Sequence, residues 1–207
     1  MAELPVLVLG THNRKKVEEL RDLLVGLPLQ VRSLDDYPHA LEVVEDGDTF
    51  AANAAKKAQE QALHLKCWVL AEDSGLAVDA LKGAPGVYSA RYSGPAATDD
   101  TNNQKLVAEL RTVPEEKRTA HYVCHAVLCN PQGEIQAQCE AYCRGRIRLE
   151  PAGENGFGYD PYFEVPEYHQ TFGQLGSTVK QCLSHRGRAM RGVLPTIRRL
   201  LSTGRWS

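Results

Sequence analysis

Read from the N-terminus, the chain alternates short apolar runs with amphipathic stretches. Pro5 to Gly10 is an apolar run of strand length, and beyond Asn13, a helix-capping residue type, Val17, Leu20, Leu23 and Leu24 fall on one helical face until Gly26 ends it. Leu29 to Leu34 reads as a second strand. Thr49 can cap a second helix through His64, with Phe50, Ala51, Ala54, Ala55, Ala58 and Ala62 inward and Lys56 and Lys57 in its first half. The apolar Cys67 to Ala71 makes a third strand, and Thr98 caps a helix to Leu110. HYVCHAVLC and EIQAQCEAYC flank the turn residues Asn130, Pro131, Gln132 and Gly133, so both read as hairpin strands. Beyond Ser184 a last helix places Met190, Val193, Leu194, Ile197, Leu200 and Leu201 at helical spacing, with Pro195 expected to kink it. Helix-linked and hairpin-linked strands together predict a mixed sheet in an α/β fold.

Composition narrows the function classes. The 207 residues suffice for one large domain or two small ones. Hydrophobic residues at 43%, charged residues at 24% and a formal charge of -2 give no reason to expect disorder, a membrane span or general nucleic-acid binding. The apolar run from Leu4 to Leu9 is too short for a signal peptide and lacks a basic flank, so the expected compartment is the cytosol. There the six cysteines are expected to stay reduced. His121, Cys124, His125, Cys129, Cys139 and Cys143 form no CxxC pair and lie on hairpin strands whose alternate residues face opposite sides, which argues against structural zinc.

Candidate chemistry gathers where strands end. LAEDSGL, residues 70 to 76, follows the third strand with Glu72 and Asp73, the place where open α/β sheets bind ligands. On an extended strand these neighbours point to opposite faces, so one of them, taken to be Asp73, faces the site. Glu72 then reaches a metal from a bend at Gly75 or pairs elsewhere. After the first strand, THNRKK supplies Thr11, His12, Asn13, Arg14, Lys15 and Lys16 at a helix start, whose free N–H groups favour an anion. Lys57 and the acidic stretch Glu42, Glu45, Asp46 and Asp48 place cations and carboxylates about one turn, as a magnesium-bound polyphosphate requires. GENGFGYDPYF bends on three glycines and offers Phe157 and Tyr159 for stacking a base. KQCLSHRGRA sets Lys180, His185 and Arg186 at a helix start with Ser184 as cap, all potential donors to carbonyl or phosphate oxygens.

THNRKK, TFAANAAKKA, AEDSGLAVDALKGAPGVYSARYSG, GFGYDP and SHRGRA, in this order and spacing, resemble the inosine triphosphate pyrophosphatase family, the nonstandard purine or dITP/XTP pyrophosphatases. The resemblance runs from about Val6 to about Leu201 and implies one catalytic domain over 1–207. It further implies an elongated mixed sheet flanked by helices, two lobes about a central cleft and a homodimer. The implied reaction hydrolyses ITP, dITP or XTP to monophosphate and pyrophosphate with Mg2+. By the same resemblance Thr11, Asn13, Lys16 and Lys57 match phosphate-binding positions, Glu45 the magnesium-associated acid, Asp73 the catalytic acid and Ser74 a substrate contact. Glu72 stands where relatives often carry aspartate. Phe157, Gly158, Tyr159, Asp160, Lys180, His185 and Arg186 match base-recognition positions, and Val179 departs from the acidic residue common before the lysine. Two other readings stay open at this level: a pyrophosphatase for modified pyrimidine triphosphates, whose family does not share SHRG and GFGYDP, and a nucleotide-binding module without turnover.

Overall fold

The computed structural model describes residues 4–206. Val6–Leu9 forms β1, Gln30–Ser33 β2, Trp68–Val78 β3, Thr119–Cys129 β4, Ile135–Ile147 β5, Phe163–Val165 β6 and Gln170–Thr171 β7. The α-helices are Arg14–Leu24 (α1), Phe50–Leu65 (α2), Asp99–Leu110 (α3), Ser177–Leu183 (α4) and His185–Ser202 (α5). The strands join in one sheet of order β2-β1-β3-β4-β5-β6-β7. β1 is parallel to both neighbours, with Leu7 opposite Val31 and Trp68, and α1 and α2 make the crossovers that parallel strands need. At the other end β6 is antiparallel to β5 and β7. The expected mixed α/β sheet is therefore what the chain forms.

Three helices start at the residues whose side chains cap them. Asn13 accepts from the Lys16 N–H, Thr49 from Ala52 and Thr98 from Thr101, each satisfying one otherwise orphaned donor. Leu29 to Leu34 shortens to β2 because Leu34–Asp36 turns into a 3-10 helix, with the Ser33 N–H donating to the Asp36 carboxylate. α5 runs unbroken through Pro195 and buries Ala189, Met190, Val193, Ile197 and Leu200. Among the described residues no helix is long and apolar enough to cross a membrane.

The third strand differs most from expectation. Instead of ending at Ala71, β3 continues to Val78, buried throughout except for half-buried Ser74. Leu76 and Val78 supply the reason, since both enter a core with Leu106, Tyr122, Phe163 and Phe172 and carry the backbone past the carboxylates.

Contacts divide the chain into two compact units. One comprises 1–73, 125–140 and 188–207, and its core packs Ala54, Ala58 and Ala62 of α2 against Val8, Val69, Ala71 and Val127. Alanine at every fourth position lets the helix lie close to the sheet. The other comprises 74–124 and 141–187, with a core richer in aromatics.

Candidate active site

In the first unit, β1 delivers the chain to the start of α1, and the six residues from Thr11 to Lys16 part company there. Thr11 Oγ1 accepts from the Asn13 N–H (3.2 Å) and Asn13 Oδ1 from the Lys16 N–H (3.1 Å), so both side chains shape the turn. His12 lies 3.3 Å from Asp35 and 3.6 Å from Glu42, and Arg14 and Lys15 are exposed. Lys16 turns inward, its Nζ 2.9 Å from Glu72 Oε1.

Alternation along β3 sends the two neighbouring carboxylates to different lysines. Glu72, only 1% exposed, pairs with Lys16, while Asp73 Oδ1 accepts from Lys57 Nζ at 3.3 Å. Lys57 belongs to a buried polar stripe on α2, Asn53, Lys57 and Gln61, one turn apart and beside the alanine stripe. Asn53 Nδ2 donates to Asp73 Oδ2 (3.1 Å), and its Oδ1 accepts from the Gly47 N–H (2.8 Å). Gln61 donates to the Leu41 carbonyl and accepts from the Leu41 N–H. The stripe thus fastens the acidic stretch before α2 and brings Glu45 Oε2 to 2.9 Å from Lys57 Nζ. Gly47 is needed for this approach, because a Cβ there would lie 2.7 Å from Asn53 Oδ1. Asp46 meets Lys56 at 2.6 Å, whereas Glu42 and Asp48 are exposed.

Electrostatics separates the two acids that share Lys57. Burial raises the Asp73 pKa above its ordinary value against the opposing charges of Lys57 and Lys16. For Glu45 burial is again the largest single effect, yet the charge and hydrogen bond of Lys57, with Asp73 and Lys16, together hold its pKa below the ordinary value. Lys57 stays charged, its pKa raised because Asp73, Glu45 and Glu72 outweigh its own burial. Among the described residues no group of three His, Cys, Asp or Glu side chains is disposed to hold a metal by itself. Glu45 and Asp73 nevertheless present hard oxygens on one ammonium. That donor set fits Mg2+, which is commonly held by one or two carboxylates and completed by phosphate oxygens and water.

In the second unit, the glycine loop and the start of α5 meet through one buried carboxylate. Asp160 Oδ2 accepts from Lys180 Nζ (2.7 Å) and the Phe157 N–H (2.8 Å), and Oδ1 accepts from the Tyr122 hydroxyl (3.3 Å). Gly156 has φ of 75°, and a Cβ there would lie 2.0 Å from Asp160 Oδ2, so the loop closes on the carboxylate only with glycine. The Gly158 N–H donates to Asp99, and its carbonyl accepts from Asn103 Nδ2. Ser184 Oγ accepts from the Gly187 N–H, the expected cap of α5, and Arg186 Nη2 donates to Ser74 Oγ (3.0 Å). Lys180 lies on α4 and is buried, while Val179 beside it is exposed. The Phe157 ring has Lys180 Nζ 5.0 Å and the Arg186 guanidinium 5.7 Å from its centre.

The two aromatics of the glycine loop differ in exposure. Tyr159 is 4% exposed within the aromatic core cluster, and its hydroxyl donates to the Ser89 carbonyl. Phe157 is half-buried. Asn53, Gln61, Tyr122 and Asn103 were not singled out in the sequence, although polar residues at 53, 57 and 61 beside alanines at 54, 58 and 62 are a readable stripe.

Comparison with known proteins identifies the chain's relatives. The model of the Ham1 family matches residues 7–196. A dITP/XTP pyrophosphatase of Rhodopirellula baltica is 55% identical over 95% of both chains, and one of Desulforamulus reducens is 49% identical over 94% of this chain and 96% of its own. The structure of a HAM1 protein from Coxiella burnetii superposes with a TM-score of 0.86 at 34% identity, covering 95% of this chain and all of its own. A nucleoside-triphosphatase, dITP/XTP pyrophosphatase, from Mycobacterium abscessus gives 0.73 at 42% identity, over 92% of this chain and 99% of its own.

Proposed function

The chain belongs to the Ham1 family, and we propose that it hydrolyses deaminated purine nucleoside triphosphates, ITP, dITP and XTP, to monophosphate and pyrophosphate, clearing them from the nucleotide pool. The observation that carries this reading is the convergence of Glu45, Lys57 and Asp73, with Lys16 on Glu72 beside it. Such charge density is costly to bury in a resting protein and suits a substrate bringing several negative charges.

In this reading a water oxygen bonds to the α-phosphorus, the bond from that phosphorus to the bridging oxygen breaks, and pyrophosphate leaves. Asp73 orients the water and takes its proton, with Asn53 and Lys57 fixing its two oxygens. Lys16 and Lys57 neutralise the pyrophosphate as it departs, and the turn from Thr11 to Lys16 (Thr11, His12, Asn13, Arg14, Lys15, Lys16) receives phosphate oxygens. Glu45 and Asp73, with Glu72 as a further candidate, would hold Mg2+, which when bound offsets polyphosphate charge.

Base choice is assigned to the second unit's residues. Lys180, His185 and Arg186 supply donors, Phe157 a ring face, and Ser74, Gly158, Tyr159 and Asp160 their setting. Hypoxanthine and xanthine carry a carbonyl oxygen where adenine carries an amino group, so donors accept the first pair and mismatch the last. The same reading makes the enzyme a cytosolic homodimer that acts on free nucleotides rather than on nucleic acid or at a membrane.

Pyrophosphate release would be followed over ITP, dITP, XTP, GTP, ATP and a modified pyrimidine triphosphate, with Mg2+ and with chelator. Preference for the deaminated purines, dependent on Mg2+, is expected. Preference for the pyrimidine, or tight binding without turnover, would replace this function with one of its rivals.

A further inference from the structure

We propose that Tyr122 is a specificity-determining residue, a positioning side chain that holds His185 and Asp160 together and thereby sets the discrimination against adenine. The proposal rests on the base-recognition reading above. Tyr122 enters from β4, remote in sequence from both segments it serves. Its ring lies parallel to the His185 imidazole, with centroids 4.6 Å apart and planes 9° apart. Phe163 meets the same ring at 4.6 Å and Phe172 at 6.0 Å. With only 6% of the residue exposed, the tyrosine is wedged in a packed aromatic cluster and cannot swing away.

A stacked imidazole has its plane fixed. Its ring nitrogens donate and accept within that plane, so the stack determines the directions in which His185 can meet a base. The Tyr122 hydroxyl adds a second constraint by donating to Asp160 Oδ1, while Asp160 Oδ2 anchors Lys180 and the Phe157 backbone. Burial, reinforced by the neighbouring carboxylate, raises the phenol pKa well above its ordinary value, so the hydroxyl stays a donor. One side chain therefore braces the imidazole and the carboxylate on which the lysine and the glycine loop hang. A donor-lined site rejects adenine only while its donors cannot turn away from the amino group. Loosening them should admit ATP as well as weaken ITP.

Specificity constants for ITP and ATP would be measured for wild type, Tyr122→Leu and Tyr122→Phe, with thermal melting alongside. Tyr122→Leu removes ring and hydroxyl and should lower the ITP-to-ATP ratio about 10-fold, mostly through ITP. Tyr122→Phe keeps the stack, loses one hydrogen bond to a carboxylate and should lower the ratio about 3-fold. A merely structural tyrosine would lower the melting temperature and both substrates alike, so an unchanged ratio in Tyr122→Leu overturns the proposal. Should Tyr122→Leu fail to fold, the isosteric Tyr122→Phe decides, and an unchanged ratio there overturns it equally. A wild-type enzyme with no preference for ITP over ATP would sink the base-recognition reading itself, and this proposal with it.

Discussion

Lys57 and Lys180 are both buried lysines within hydrogen-bond reach of a carboxylate, yet their surroundings have opposite character. Lys57 stands between Glu45 and Asp73, in a group that also holds the Lys16–Glu72 pair, so ammonium groups and carboxylates lie close together. Lys180 shares Asp160 with a hydroxyl and a backbone N–H and has the rings of Phe157 and Phe172 around it, with buried Arg186 also facing Phe157. In the proposed reading the first group takes the polyphosphate with its Mg2+. In the same reading the second takes the neutral carbonyl oxygens of the base. Charge recognition and base recognition are built from different materials, so they should fail separately.

The largest expected effect tests the first half of that contrast. Asp73→Asn should lower kcat for ITP on the order of 100-fold or more while leaving the ITP-to-ATP ratio near wild type, because an amide cannot take a proton from water. Steady-state pyrophosphate release measures both quantities. Turnover within a few-fold of wild type would remove Asp73 from its proposed role. Next in size, Lys16→Ala and Lys57→Ala should each lower kcat/KM about 10- to 100-fold for every triphosphate alike, since an ammonium on the polyphosphate is blind to the ring. A changed base preference in either variant would merge the two groups that the comparison separates.

Much of this contrast was legible in the sequence. Caps at Asn13, Thr49 and Thr98 are local signals, and the helices begin where those residues stand. Glu72 and Asp73 lying side by side already implied different faces of a strand, and the structure pairs them with different lysines, Lys16 and Lys57. The continuation of β3 was hidden because a buried carboxylate is tolerable only with a cation from elsewhere in the chain, and no local pattern shows that cation. β6 and β7, with three and two residues, are too short for any periodicity to register. The burial of Tyr159 was not legible, because an aromatic in a glycine loop fits a stacking face and a core side chain equally well. Tyr122 lay hidden among the histidines and cysteines of the hairpin.

A smaller effect tests the second half. Arg186→Ala should lower kcat/KM for ITP about 10-fold more than for ATP, whereas Phe157→Ala should lower both by similar factors, a ring face being common to all bases. Equal loss for both substrates in Arg186→Ala, with a lower melting temperature, would reduce Arg186 to a structural donor to Ser74.

The smallest expected effect concerns stability, and it follows from the cost of burying Asp73. Burial raises its pKa above the ordinary 3.8, so the folded chain binds this proton more tightly than the unfolded chain does. The protonated carboxyl therefore contributes stability at acid pH, and that contribution is lost as pH rises through the raised pKa. Asparagine at this position keeps the shape and cannot ionise, so Asp73→Asn escapes the loss. In chelator, which keeps Mg2+ from offsetting the charge, the variant should gain on wild type by a few degrees of melting temperature between about pH 4 and about pH 8. Lys57 works against the gain, because it loses one carboxylate partner in the variant while keeping Glu45. That loss is present once Asp73 is ionised in wild type, so it caps the size of the difference and keeps this effect below the others. Melting curves of both proteins across that range decide the matter. A gap that stays constant, or closes as pH rises, would mean that the ionised Asp73 is fully compensated by Lys57 and Lys16, and that the acid–lysine group carries no stored cost for a substrate to relieve.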